Sequence, residues 1–227
     1  MYWRDSAYAP PAPPRGSLRA GIAGLAGALL ILLGGVAVAV AFILQQHAPE
    51  PSSAAAGSTG FGRAHPLSLR RSVPVSLHIP AIGVTSDLLH LGLNADGAIQ
   101  VPSLYTEAGE AAWYKYSVTP GQIGASVIEG HVDSYSGPAV FFKLGALRPG
   151  DRVDVRLADR VTAVFRVTGV REYSKSRFPA KVIYGATRYA SLRLITCGGA
   201  FDYATGHYLS STVVYASLIS TVPASGG

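Results

Sequence analysis

The sequence predicts an all-β domain, an antiparallel barrel or sandwich with short helices, behind one apolar N-terminal segment. From Pro74 onward, short runs alternate apolar and polar residues with a period of two, most cleanly in Arg152–Leu157. Turn sequences such as Asn94–Gly97 separate the runs. There is no regular alternation of strands with long helices, which favours an all-β class over an α/β class.

The first 44 residues are predicted to form a disordered segment and a membrane anchor. Residues 1–19 are rich in proline and alanine and carry three arginines, so they have too little apolar surface to fold alone. Residues 20–44 contain no charged side chain, and about 20 apolar residues cross a bilayer as a helix. The alternative is a cleaved signal peptide, whose apolar core is shorter, roughly 7–15 residues. Because the arginines precede the span, the N-terminus is expected in the cytoplasm and the C-terminal domain outside the cell.

Residues 45–72 are rich in proline, serine, alanine and glycine, which predicts a flexible tether. Residues 73–227 are the predicted folded domain. Strands are expected at residues 75–79, 84–88, 99–101, 125–130, 152–157, 161–170, 192–197 and 212–216, and short helices at 140–144 and 180–189.

The distribution of charge argues against a nucleic-acid partner. The net charge is +6, but residues 1–71 carry six arginines against two acids. The rest of the chain carries 13 basic and 11 acidic side chains. A nucleic-acid-binding domain concentrates its basic residues on the folded part, which this chain does not do.

Cys197 is the only cysteine, and it follows the apolar run Leu192–Ile195 and precedes two glycines. A single cysteine excludes an intramolecular disulfide. In an extracytoplasmic domain a free thiol is exposed to oxidation, so its presence calls for burial or a chemical role. A strand that ends in a thiol presents a nucleophile, provided that a base or cation nearby favours the thiolate.

A candidate base lies in the sequence Glu129-Gly-His131-Val-Asp133. If the preceding strand continues through it, the three polar side chains share one face, because side chains alternate along a strand. His131 exchanges protons near neutral pH. The alternative is an ordinary loop histidine at a strand end, and the spacing alone leaves both interpretations open.

Two other types of cysteine site fit poorly. A papain-like arrangement needs the cysteine before the histidine, whereas His131 precedes Cys197. Zinc could bind to Cys197, His131 and His207, but their spacing matches no short ligand motif. Neither a metal nor another cofactor is therefore expected.

Two separate blocks of sequence contain the candidate histidine and, further along the chain, the cysteine. The first comprises Gly130–Phe142 and Leu144–Asp151, and the second comprises Leu194–Asp202, followed by Val213–Ala216. They resemble the sortase family of cysteine transpeptidases, and in detail its actinobacterial class F group. The resemblance covers roughly residues 73 to 217.

The resemblance implies an eight-stranded sortase β-barrel with the cysteine at the end of the seventh strand. It also implies cleavage of an LPxTG-like sorting signal after its threonine, through a thioacyl intermediate, and transfer to an amine of the cell wall. The partners would be secreted proteins with a C-terminal sorting signal, the cell-wall precursor and the membrane. Cys197 would be the nucleophile and His131 the general acid and base, and Thr196 would support the oxyanion hole.

One family residue is missing. Sortases have an arginine on or just before the eighth strand, whereas no arginine follows Cys197 and Leu209–Ser211 occupies the expected place. Arg193 has the strand parity of Cys197 but lies about 13 Å away along the strand, and is expected to be a surface residue. His207 or Tyr208 would donate a weaker hydrogen bond than a guanidinium.

The missing arginine leaves an alternative function open. The chain would then be a weakly active or inactive sortase-like module that binds sorting peptides. Loss of one oxyanion donor typically costs about 100- to 1000-fold in rate. The activity of such an enzyme would be reduced but not abolished.

Overall fold

The computed structural model describes residues 48–57 and 67–223, which all belong to the unit Gln46–Gly227. The predicted cytoplasmic segment 1–19 and the predicted anchor 20–44 lie outside these residues. Within the described ranges, no helix has the length and apolar character needed to cross a membrane.

Strands dominate the described part of the chain. In chain order they are β1 (Pro74–Ile79), β2 (Val84–Leu91), β3 (Ala111–Tyr114), β4 (Gly124–Glu129), β5 (Asp133–Ser134), β6 (Gly137–Pro138), β7 (Arg152–Leu157), β8 (Thr162–Ser174), β9 (Ala190–Asp202) and β10 (His207–Val222). The helical pieces between them are α1 (Ala180–Ile183) and the 3-10 turns Ser53–Ala56, Pro80–Ile82, Leu144–Ala146 and Lys175–Arg177. Eight strands close a barrel in the order β1-β2-β3-β4-β9-β10-β8-β7, and β5 pairs with β6 alone.

The predicted all-β class and eight-stranded barrel are confirmed, but the antiparallel arrangement is wrong at two places. Strand β2 pairs in parallel with β3, and β4 pairs in parallel with β9. Parallel neighbours require crossover connections, which periodicity along one strand does not reveal. The expected strand at 99–101 is reduced to a single bridge between Leu93 and Ile99. Of the expected helices, 180–189 is helical only in α1, and 140–144 is mainly turns.

Alternation along β9 separates the two faces of the barrel wall. Leu192 and Leu194 point inward and belong to the main core. Ile195 points outward into a second apolar cluster. That outer cluster also contains Val127, Ile183, Val213 and Tyr215, and it packs against Tyr114, Tyr173, Phe178 and Tyr184. Because Cys197 has the parity of Ile195, its side chain belongs to the outer face, at the border of this cluster.

Part of the predicted tether packs on the barrel. Ala55 is only 1% exposed and belongs to the main core. The backbone oxygen of Gly57 accepts a hydrogen bond of 3.3 Å from Arg171 Nη2. Further along, the Leu69 amide donates to the Gly121 carbonyl over 2.8 Å. These contacts attach parts of segment 45–72 to the barrel, and the bounds of the tether stay a prediction.

We expect Ala55→Asp to lower the free energy of unfolding by about 1–3 kcal/mol, because it places an unpaired carboxylate in apolar surroundings. Ala54 lies in the same 3-10 turn but is exposed, so Ala54→Asp should change that free energy by less than about 0.5 kcal/mol. Urea unfolding of the purified full chain measures both. Equal stability of the two variants would show that this segment contributes nothing to the fold.

Candidate active site

Cys197 lies within β9, the seventh barrel strand in chain order, and is half-buried opposite Ser211 of β10. The strand was expected to end at this thiol, but it continues to Asp202. The register against β10 shifts just after the cysteine, and there Gly199 has φ +71. Glycine adopts this left-handed conformation without steric cost, which lets the strand bulge and continue.

His131 follows the end of β4 by two residues, and its ring is fixed by a loop carbonyl. The distance from His131 Nε2 to the Pro102 carbonyl oxygen is 2.6 Å. A carbonyl oxygen only accepts, so Nε2 carries a hydrogen and Nδ1 is the nitrogen left for proton exchange. The backbone carbonyl of His131 accepts from the Phe141 amide over 2.9 Å. Both the ring and the backbone of this residue are therefore held.

The residue before the histidine joins it to the cysteine strand. Thr196 Oγ1 donates to the Gly130 carbonyl over 2.8 Å, and the Gly130 amide donates to the Ile195 carbonyl over 3.1 Å. A Cβ on Gly130 would lie 2.6 Å from Cγ1 of Val140, so any other residue would force that side chain to move. Because the hydroxyl of Thr196 donates here, it holds the His131 loop in place, and its hydrogen is not available to an oxyanion in this arrangement.

A lysine that the sequence did not single out contacts the thiol. Lys175 Nζ donates to Cys197 Sγ over 3.5 Å. Lys175 directly follows β8, and β10 lies between β8 and β9. Ser211 of β10 pairs with both Cys197 and Tyr173, so the end of β8 is two strands away and a lysine side chain spans the gap. Only the strand register, which needs the fold, would have pointed to this residue.

Arg193 does not replace the family arginine at the surface. It is 2% exposed, and its guanidinium carbon lies 4.6 Å from the centroid of the Tyr215 ring. Nη1 donates to the Leu192 carbonyl over 3.2 Å. Burial lowers the pKa of Arg193. The expectation that Arg193 is a surface residue is wrong, because residues 175–189 cover this part of the outer face.

The other two expected substitutes lie on β10, near the thiol. The Tyr208 hydroxyl donates to Asp133 Oδ2 over 2.5 Å. Burial and the Asp133 carboxylate raise the pKa of Tyr208, so the phenol keeps its hydrogen and directs it at Asp133. His207 is exposed. Tyr208 thus joins the β9–β10 hairpin to the loop that follows His131.

Two grooves meet at the thiol. The first, called here the Tyr208 groove, has a volume of about 330 Å³ and is lined by Leu104, His131, Val132, Asp133, Ser134, Tyr135, Lys175, Cys197, Phe201, Gly206, His207 and Tyr208. The second, the Glu129 groove, has about 390 Å³ and is lined by Val101, Glu129, Gly130, His131, Lys175, Phe178, Tyr184, Ile195, Thr196, Cys197 and Ser211. Cys197, His131 and Lys175 line both and mark the junction.

Glu129 is a buried carboxyl group in the wall of its groove. The Tyr184 hydroxyl donates to Oε1 over 3.0 Å. Burial raises the pKa of Glu129 to about 7, against the lowering effect of this hydrogen bond. Because β4 ends at Glu129, the expected common face of Glu129, His131 and Asp133 is not formed. Glu129 and Asp133 line different grooves, and His131 lies between them.

Among residues 48–57 and 67–223, no three histidine, cysteine or acidic side chains come close enough together to hold a metal ion. The zinc alternative built on Cys197, His131 and His207 therefore has no ligand cluster in the described part.

Solved structures with a similar fold are sortases. Sortase A of Listeria monocytogenes is 18% identical, with 67% of this chain and 90% of that chain covered and a TM-score of 0.49. Sortase E1 of Streptomyces coelicolor, solved with a tripeptide in its active site, is 19% identical over 67% and 91%, with a TM-score of 0.49. A sortase from Actinomyces oris is 20% identical over 70% and 88%, with a TM-score of 0.47. No curated protein matches the sequence.

The sequence model of one family matches the folded part directly. The Sortase domain matches residues 77–219, from the first barrel strand to the last. That is more than half of the chain, and it includes both grooves and the thiol between them. The chain therefore belongs to the sortase family.

Proposed function

We propose that this chain is a membrane-anchored sortase transpeptidase of the actinobacterial class F group. It would cleave an LPxTG-like sorting signal of secreted proteins and transfer it to an amine of the cell wall. The observation that carries the proposal is the meeting of Cys197, His131 and Lys175 at the junction of two grooves. The class F assignment is supported by the sequence blocks that contain His131 and Cys197. The anchor, with an extracellular folded domain, is supported by the charge-free run 20–44.

The first half of the reaction forms the thioacyl enzyme. Cys197 Sγ, which lies 3.5 Å from Lys175 Nζ, attacks the threonine carbonyl carbon of the sorting signal as the thiolate. His131 Nδ1 holds the proton that the Cys197 thiol has lost, and gives it to the departing amine as the C–S bond forms and the peptide C–N bond breaks. Nε2 keeps its hydrogen and donates it to the Pro102 carbonyl throughout, so the ring keeps its orientation.

The second half reverses the proton transfer. A cell-wall amine attacks the thioester carbonyl, and His131 Nδ1 takes the proton that the nitrogen loses. The C–S bond breaks, a new amide forms and the Cys197 thiolate is released. Each half replaces one bond at the same carbon, so the enzyme returns to its starting protonation state.

The two grooves fit the two ends of this exchange. The Glu129 groove has apolar walls at Val101, Phe178 and Ile195, which suit the leucine and proline of the sorting signal. The Tyr208 groove has polar side chains at Asp133 and His207, which suit the departing and entering amines. The acyl part of the substrate would therefore lie over the end of β4, and the amine part over the β9–β10 hairpin.

Lys175 takes the place of the missing arginine in this mechanism. Its ammonium is a single charge on a flexible stem, whereas an arginine offers a planar fork with two parallel hydrogen bonds. The charge lies beside the sulfur, close to the carbon at which the oxyanion develops. Because Lys175 is exposed, water and salt screen its charge, so its effect should be smaller than that of a buried donor.

The second candidate, a module that binds sorting peptides without turning them over, is favoured by one observation. No arginine follows Cys197, and the cation that does contact the thiol is exposed. The two functions differ in whether a covalent bond forms at Cys197.

Incubation of the purified full chain with a fluorogenic LPxTG peptide should give turnover and a thioacyl adduct on Cys197. Cys197→Ala should abolish both, because no other thiol is present in the sequence. Mass spectrometry of the peptide that contains residue 197 identifies the adduct, and circular dichroism checks that the protein is folded. A folded protein that binds the peptides but forms no adduct would instead be the binding module.

Lys175→Ala should lower kcat/KM by about 10- to 100-fold, because the oxyanion that forms beside the sulfur loses its cation. Lys175→Arg should retain most of the activity, because it keeps the charge. The control is Lys181→Ala, which removes an exposed lysine of α1 and should leave kcat/KM unchanged. Equal values for the alanine variants at 175 and 181 would exclude a role for Lys175.

A further inference from the structure

We propose that Glu129 selects sorting peptides that carry a lysine or arginine at the variable position, between the proline and the threonine. This inference rests on the proposed transpeptidase function and adds the substrate class to it. The carboxyl group would pair with the positive end of that side chain inside the Glu129 groove.

The barrel register puts Glu129 at the correct distance from the thiol. Glu129 pairs with Ile195 across the parallel β4–β9 ladder, and Cys197 lies two residues beyond Ile195. Glu129 shares the outward parity of Val127, which belongs to the outer cluster, so it opens on the same face as Cys197. One strand spacing and two residues of rise place the two Cα atoms about 8 Å apart. An extended peptide with its threonine carbonyl at the thiol brings its preceding side chain within reach.

The chemistry of the groove fits a long cationic side chain better than other side chains. Beside the apolar walls that suit the leucine and proline, Glu129 is the only carboxyl group in the lining of this groove. Oε1 accepts the hydrogen bond from Tyr184, and within the described part no other side chain donates to Glu129. Oε2 is therefore left for a donor from the substrate, and a lysine or arginine supplies a charge-assisted one.

The charged and titratable groups around Glu129 restrict where such a cation binds. Tyr184, at the end of α1, contacts the carboxyl directly. Lys175 and His131 line the same groove at its junction end, beside Cys197. A substrate cation near the junction would be repelled by Lys175, whereas the same cation beside Glu129 is attracted. The neighbouring strands present Ala112 and Ile195 to Glu129, and neither residue is charged.

The protonation state of Glu129 makes the selection depend on pH. Burial raises the pKa of Glu129 to about 7, so the carboxylate predominates above that pH and the neutral acid below it. A cationic side chain prefers the carboxylate, whereas a neutral amide binds either form. The preference for lysine over glutamine should therefore be larger at pH 8 than at pH 6.

Binding of two labelled peptides, LPKTG and LPQTG, tests the inference independently of turnover. We would measure fluorescence anisotropy with the full chain carrying Cys197→Ala, alone and combined with Glu129→Gln. We expect Kd to be about tenfold lower for LPKTG than for LPQTG at pH 8. The ratio of the Kd of LPQTG to that of LPKTG should approach one at pH 6. With Glu129→Gln, this ratio should be close to one at both pH values. LPETG should bind more weakly than LPQTG when Glu129 is present.

A control separates recognition from support of the fold. Tyr184→Phe removes the hydrogen bond to Glu129 but keeps the carboxyl and the ring, so the lysine preference should persist. If the role of Glu129 were only to hold Tyr184, Glu129→Gln would change the Kd of LPKTG and LPQTG by the same factor. That result would overturn the inference. So would a failure of the chain that carries Cys197→Ala alone to bind either peptide.

Turnover by the chain with Cys197 intact separates this inference from the proposed function. Lysine-selective binding without a thioacyl adduct would leave the Glu129 site in place and contradict the transpeptidase. Turnover of LPKTG and LPQTG at equal kcat/KM, unchanged by Glu129→Gln, would support the transpeptidase and overturn the selection.

Discussion

The parallel pairing of β4 with β9 brings together residues that are 66 positions apart in the sequence. Ile195 pairs with Glu129, and the Thr196 hydroxyl and the Ile195 carbonyl both bind Gly130. These contacts fix the point at which the chain leaves β4, and therefore the position of His131. The thiol, the imidazole and both grooves depend on this one ladder. A Cβ on Gly130 would clash with the side chain of Val140, so glycine at that position lets the chain pass Val140 without displacing it.

The sequence predicted the strand content and barrel but not the second layer outside it. Alternation along β9 correctly separates Leu192 and Leu194 from Arg193 and Cys197. The same alternation predicts that a polar side chain on the outer face is exposed to solvent. This prediction is wrong for Arg193, which is buried. The cover comes from residues 175–189, which have only one short helix and no clear period. Burial on an outer face depends on long-range packing, and a pattern along one strand carries no information about it.

The candidate site likewise contains residues that the sequence predicts and one that it does not. Cys197 and His131 could be proposed from sequence because each stands in a block that resembles a family. Lys175 could not, because its relation to the thiol depends on the register of three adjacent strands, β8, β10 and β9. No arginine stands at Leu209–Ser211 or elsewhere after Cys197. The cation that contacts the thiol directly follows the end of β8, two strands from β9, and it precedes Cys197 in the sequence.

The buried carboxyl group of Glu129 does not stabilise the folded protein at neutral pH. Its pKa rises from 4.5 to about 7 on folding, so the folded state holds a proton that the unfolded state releases between these values. Stability therefore falls as the pH rises through this window, by an amount on the order of 3 kcal/mol at its upper end. A glutamine at this position would fill similar space and accept the same hydrogen bond from Tyr184 without that loss. The carboxyl group is therefore better explained by a positively charged ligand in the groove, whose binding would restore the favourable energy of the ionised form.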